Sequence, residues 1–387
     1  MRYLSIYGAE GFRTFMGVLN GKLAYTPDRV PLIDPEIVME RDYALRLHEV
    51  VAAYTDQHPK LKDVLPIISN NIGTLHSIST NCSVWRPKNH LSLLAELLLA
   101  GLFENFLPEE MNKNLYFLAN GDDTGIAFQQ AFSLEKKNIL IPLDNTNGTP
   151  LETENTNIFS IDTTDKTLKE QLLKQQSLYC DQKNIFRIVG HIATMIEALH
   201  ATEEKRQRFY NDIVSLVIPA DNMEYVLAAY YLSKSKFPIK NIYAISTEHR
   251  MVHNFLDKGE FKINDLVAYE KLEISLDRML FEAARGSSEK VVFWKKELAQ
   301  HGSFKVDFKT LQSIQSKFKS QFATKSYYES VLEEFKQKTD IEATKFALIG
   351  YKLSQDLSEH VLIFDAVNPS LPIQKISLKP FTQKDIL

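Results

Sequence analysis

Ile213-Val214-Ser215-Leu216-Val217-Ile218, followed by Pro219-Ala220-Asp221-Asn222-Met223-Glu224 and an apolar-rich run through Ser233, is the stretch that decides the fold. A short apolar run rich in branched residues reads as a buried strand. The proline and acidic residues that follow read as a turn, and the longer run beyond them as a helix. The same order recurs upstream. Leu115–Ala119 predicts a strand, Asn120-Gly121-Asp122-Asp123-Thr124-Gly125 a turn, and the stretch through Phe132 a helix. Asn138–Leu143 and Asn157–Ile161 predict further strands, with helices over about 166–179 and 185–200. Downstream, Ile242–Ser246 and Val361–Asp365 read as strands. Strands alternating with helices predict an α/β fold with mostly parallel sheets flanked by helices. Such folds bind ligands at the carboxyl ends of their strands. That rule singles out Asn120–Gly125, Pro219–Glu224 and Asp365–Pro369.

The remaining segments are read more coarsely. Residues 1–35 look like short strands and turns. Asp34-Pro35 is a good helix start, a capping residue before a proline in the first turn, and it opens a helical pattern to about residue 57. A core helix is expected over about 90–106. The last third, over 303–338 and 342–353, reads as helix-rich.

Composition narrows the function classes. The chain has 387 residues, 24% of them charged, and a net charge of -4. That balance gives no electrostatic footprint for nucleic acid or a membrane surface. No run approaches the ~18 apolar residues of a spanning helix, and the N-terminal stretch lacks the apolar core of a signal peptide. Two cysteines, Cys82 and Cys180, make neither a disulfide framework nor a zinc spacing, so a cytoplasmic protein is expected. His249 and His253 stand four apart, but without the glutamate and third ligand of a metal motif they read as solvated or packing residues.

Taken together, the loops resemble those of the threonine synthase family, pyridoxal-phosphate enzymes of the tryptophan-synthase-β type. Asp123-Thr124-Gly125-Ile126-Ala127 with Ala131-Phe132 is similar to the family's S-G-D-T-G-x-A and later A-F. Asn184-Ile185-Phe186-Arg187, running into Glu197-Ala198, is similar to N-x-x-R opening a long helix. Val217–Glu224 resembles the phosphate loop V-P-S-G-N-F-G, and Asn254-Phe255-Leu256 with Gly259 resembles R-F-L-x-x-G. Leu19 to Pro31 resembles G-L-x-x-P-x-x-I-P with a short deletion. Each block is partly eroded, and their common order carries the resemblance, over about residues 1–280 and 361–370.

The resemblance implies the two-domain fold type II of pyridoxal-phosphate enzymes. It places a large domain over 1–88 and 200–387 and an inserted smaller one over 89–199. It implies pyridoxal phosphate as cofactor, an amino-acid phosphate as substrate, and conversion of O-phosphohomoserine to threonine and phosphate. It also assigns roles. A lysine forms the Schiff base, and Lys88 takes that position if one residue is deleted, whereas an ungapped count gives Pro87. Asn222 lies in the phosphate loop. Asp123, Thr124 and Gly125 help hold cofactor or substrate, and Asn184 and Arg187 face the substrate's phosphate.

The departures concern the cofactor. The upstream H-G-P-T is absent. Two loop glycines are Asp221 and Glu224, which add side chains and negative charge where backbone N–H groups should close on a dianion. A C-terminal threonine that serves the pyridine nitrogen is Ala366, which has no side-chain donor or acceptor. Arg187 serves either an external carboxylate or phosphate, or an internal acid. The expectation is a threonine synthase-like protein without competent cofactor chemistry that keeps a ligand cleft. The alternatives are a diverged lyase using Lys88, and a regulatory or interaction protein built on the helical C-terminal third.

Overall fold

A computed structural model of the chain describes residues 13–19, 22–27, 73–87, 116–119, 137–142, 156–161, 177–180, 185–206, 214–235, 237–365 and 379–380. The strands in these residues are β1 (Arg13–Leu19), β2 (Lys22–Pro27), β3 (Gly73–Ser79), β4 (Cys82–Pro87), β5 (Tyr116–Ala119), β6 (Lys137–Pro142), β7 (Thr156–Ile161), β8 (Ser177–Cys180), β9 (Val214–Pro219), β10 (Ile239–Ser246), β11 (Glu260–Lys262), β12 (Ser303–Lys305), β13 (Phe318–Phe322), β14 (His360–Phe364) and β15 (Lys379–Pro380). The helices are α1 (Ile185–Arg206), α2 (Met223–Lys234), α3 (Met251–Lys258), α4 (Leu266–Ala283), α5 (Ser288–His301), α6 (Phe308–Gln315), α7 (Lys325–Glu329), α8 (Leu332–Lys338) and α9 (Lys345–Gln355).

Two sheets carry the fold. One has the order β15-β7-β6-β5-β8-β1-β2, the other β13-β10-β9-β14-β4-β3. Each is parallel through its body and ends in an antiparallel hairpin, β1–β2 in the first and β3–β4 in the second. The expected α/β class with mostly parallel sheets flanked by helices is therefore what the chain forms.

The second sheet is buried on both faces. All six residues of β4 and of β9 are buried, as are all five of β14. Because side chains alternate across a strand, successive residues feed opposite cores. Val214, Leu216, Ile218, Leu362, Phe364 and Trp85 join the core formed with α1 to α5. Val217, Val361, Ile363, Cys82 and Val84 join the core that holds Phe335 of α8 and Phe346 to Ile349 of α9. Helix α2 is apolar nearly all round, as a helix inside a core must be, and nine of its twelve residues are buried. The hairpin edge is tightly fitted. A Cβ at Gly73 would stand 2.0 Å from Cζ2 of Trp85, so only glycine lets the two strands close around that ring.

Two features differ from the sequence reading. Ser177–Cys180 is a strand between β5 and β1, although the stretch to residue 179 reads as helix. Ser303–Lys305 and Phe318–Phe322 are strands within a region read as helical. In both places pairing with a neighbour overrides the local pattern, since strand preference is largely a matter of what the strand packs on. In the first sheet, β1 hydrogen-bonds to β8 and β15 to β7, so both ends of the described chain join it. The helices expected over 34–57 and 90–106 lie outside the described residues.

Among the described residues, no helix is long and apolar enough to cross a membrane.

Candidate functional site

Strands β4, β14, β9 and β10 run parallel, so their carboxyl ends share one edge of the second sheet. Arg86 and Pro87, Asp365, Ala220 to Glu224, and Ser246 to Glu248 all lie along it. This is the edge where an α/β sheet presents a ligand site.

The turn from β9 into α2 makes several hydrogen bonds of its own. The Asn222 side-chain oxygen accepts from the Glu224 backbone N–H at 2.8 Å and caps α2. The Ala220 N–H donates to the carbonyl of Ile245 at 2.7 Å. Asp221 turns away from α2. Its carboxylate accepts from the Thr247 N–H at 2.9 and 3.0 Å, from the Thr247 hydroxyl at 2.6 Å, and from the Glu248 N–H at 3.3 Å. The β9 turn is thereby tied to the β10 turn by an acidic side chain.

Glu224 enters the core. Its side chain is 1% exposed and faces α1. Arg187 donates through Nε at 2.9 Å to Oε1 and through Nη2 at 3.2 Å to Oε2. Nε2 of His191, one turn further along α1, is 3.0 Å from Oε2. Burial pushes the Glu224 carboxyl up, but the Arg187 charge, the His191 hydrogen bond and charge and the Arg187 hydrogen bonds outweigh it and hold the group at about 2. It is a fixed anion at neutral pH. The His191 ring lies 4.7 Å from that of Tyr225, which meets Phe364 at 5.9 Å, and Phe364 stacks on Trp85 at 5.2 Å.

A second ion pair closes the other end of the edge. Arg86 Nε donates to Oδ2 of Asp365 at 2.9 Å, and Asp365 has no exposed side-chain surface. Arg86 also donates through Nη2 to the carbonyl of Glu342. The Thr344 hydroxyl donates to the same Oδ2 at 2.7 Å and accepts from the Ala347 N–H at 3.1 Å, so the pair is joined to the cap of α9.

Of the residues singled out from the sequence, Arg187 and Asn222 lie on this edge, joined through Glu224. Lys88, Asp123, Thr124, Gly125, Asn184 and Ala366 lie outside the described residues. His253 Nδ1 is 3.0 Å from the Ser320 hydroxyl. Among the described residues, no three His, Cys, Asp or Glu side chains gather as a metal would need. The sequence reading missed His191, although four residues from Arg187 on one helix is the spacing that puts two side chains on one face. It also missed Arg86 with Asp365, which are 279 residues apart.

The β9 turn does not fit the phosphate of pyridoxal phosphate. A dianion held at a helix start needs free N–H groups and positive charge. Here the Ala220 and Glu224 amides are engaged, a carboxylate already occupies Arg187, and a second carboxylate stands at Asp221.

No protein-family model matches the sequence, and no curated protein matches it significantly. Solved structures do match. A pyridoxal-phosphate-bound threonine synthase from Brucella melitensis superposes with a TM-score of 0.71 at 17% identity, covering 92% of this chain and 84% of that one. Yeast threonine synthase gives 0.69 at 15% identity, covering 90% and 82%. The Escherichia coli enzyme gives 0.58 at 14%, covering 91% and 84%. At such identities a likeness speaks for the fold and leaves activity open. Over nearly its whole length, this chain has the fold of the threonine synthases, the type II fold of pyridoxal-phosphate enzymes.

Proposed function

We propose that this chain is a non-catalytic protein of the threonine synthase fold, which keeps the carboxyl edge of the second sheet as a ligand cleft and does not use pyridoxal phosphate. The observation that carries this reading is Glu224, a buried and ionised carboxylate held by Arg187 and His191 at the helix start where a cofactor phosphate would need to sit. Two like charges in one dry site repel by several kcal/mol, so the internal anion and a bound phosphate exclude each other. Asp221 adds to the same effect.

The cofactor would supply an electron sink for carbon–oxygen bond cleavage. This chain's residues at the β9 turn do other work: Asn222 caps a helix, Asp221 ties two turns together, and Arg187 and His191 neutralise Glu224. The test is phosphate release from O-phosphohomoserine with and without added pyridoxal phosphate. The expected result is no release above the protein-free blank. Clear cofactor-dependent release, lost in Lys88→Ala, would establish the lyase reading instead.

A further inference from the structure

We propose that Arg187 and His191 of α1 form a receptor for a small carboxylate anion, and that the side chain of Glu224 is its tethered occupant. The inference rests on the functional reading above only in taking Glu224, and no external group, as what the receptor holds.

The geometry is that of a bound ligand. Both carboxylate oxygens are engaged: Oε1 by Arg187 Nε at 2.9 Å, Oε2 by Arg187 Nη2 at 3.2 Å and by His191 Nε2 at 3.0 Å. A guanidinium fork presents the same two parallel donors to any free carboxylate. Glu224 itself belongs to the first turn of α2, an end of the helix dipole that favours negative charge. The site is dry, with Glu224 1% exposed and His191 likewise 1% exposed, so the interaction is little screened by solvent.

The receptor is also braced without help from the carboxylate. Arg187 and His191 both rise from α1, whose facing residues Ile188, Val189, Ile192, Ala193, Met195 and Ile196 are buried in the main core. The His191 imidazole is set against the Tyr225 ring, and Tyr225 against Phe364. The backbone N–H of Glu224 itself is held by the Asn222 cap, apart from its carboxylate. Cutting Glu224 back to alanine removes a methylene and a carboxylate, the atoms of acetate. It leaves the fork and the imidazole facing a gap of that shape. Removing the carboxylate of a buried pair and leaving a cavity are both costly. An anion that fills the gap and pairs the fork recovers part of that cost, and binding to the folded state alone raises its stability in a saturable way.

The experiment is thermal unfolding of the full-length Glu224→Ala protein in sodium acetate against sodium chloride at equal ionic strength. The expected result is a midpoint well below that of the unsubstituted protein, raised by a few degrees in acetate with saturation. Three proteins should show no such rise: the unsubstituted chain, whose receptor is filled; Glu224→Gln, which fills the gap without charge; and the Glu224→Ala/Arg187→Met double variant, which lacks the fork. If Glu224→Ala does not accumulate folded, refolding from denaturant in acetate and in chloride is compared, and recovery specific to acetate supports the receptor. The inference is overturned by no acetate-specific rise or recovery in Glu224→Ala, or by an equal rise in the unsubstituted or double-variant protein. Pyridoxal phosphate binding by the unsubstituted protein is read separately and bears on the proposed function alone.

Discussion

At the β9 end of the carboxyl edge, an arginine on one helix holds a carboxylate on another. At the β4–β14 end, an arginine on one strand holds a carboxylate at the tip of its neighbour. The helix pair, Arg187 with Glu224, bridges 37 residues and has a third member, His191, that can carry charge. The strand pair, Arg86 with Asp365, bridges 279 residues, and its third member is the neutral hydroxyl of Thr344. In the proposed reading the first pair takes the place of a ligand anion. The second joins the ends of two adjacent parallel strands and the cap of α9, which is a structural task. The difference teaches that buried arginine–carboxylate pairs of like distance do unlike work, and that the partners of the third group tell them apart.

Removing the arginines should break the comparison most visibly. Arg86→Met leaves the buried Asp365 without the charge of its arginine, and should cost about 3–5 kcal/mol in urea unfolding. Arg187→Met should fall lower in that range, because His191 still holds Oε2 of Glu224. Equal losses would mean that the imidazole adds nothing.

Acid should act in part through the helix pair. The Glu224 carboxyl is held at about 2, against an ordinary value of 4.5. A depressed folded-state value stabilises the protein fully above the unfolded value, and the contribution is lost as pH falls from 4.5 toward 2. For this group that is about 3 kcal/mol. Stability measured across that window should therefore drop, and the Glu224→Gln protein should show a flatter profile and lower stability at neutral pH. Identical slopes in the two proteins would contradict the assignment.

The smallest contrast is between the two caps. Thr344→Ala removes both the cap of α9 and a bond to Asp365, and should cost about 1–3 kcal/mol. Asn222→Ala removes a cap alone, and should cost about 1 kcal/mol. Chemical denaturation of the two variants ranks them, and the reverse order would separate Thr344 from the strand pair.

Strands β9, β10 and β14 of the second sheet could be read from the sequence because their signal is local. Val214 to Ile218 is a continuous buried run, and Asn222 caps the helix that follows it. Two of the strands that escaped have a short or mixed signal. Phe318-Lys319-Ser320-Gln321-Phe322 lies in a lysine-rich stretch and becomes a strand by pairing along β10. Ser177–Cys180 has four residues and two neighbours to define it. The candidate site divides in the same way. Asp221 and Glu224 stood out because they replace glycines, but the partner of each is distant in the chain. Thr247 and Arg187 meet them only once α1, β9 and β10 have packed. Glutamate at a helix start reads as a solvated acid favourable to the helix dipole, and only packing against α1 turns it into a buried anion.

The most direct test of the central claim is the visible absorption spectrum of the purified protein after incubation with pyridoxal phosphate, followed by borohydride reduction and peptide mapping. With Glu224 filling the place of the phosphate, no Schiff-base band and no site-specific label are predicted. A stable band with the label on Lys88 would contradict the account and return the chain to the lyases.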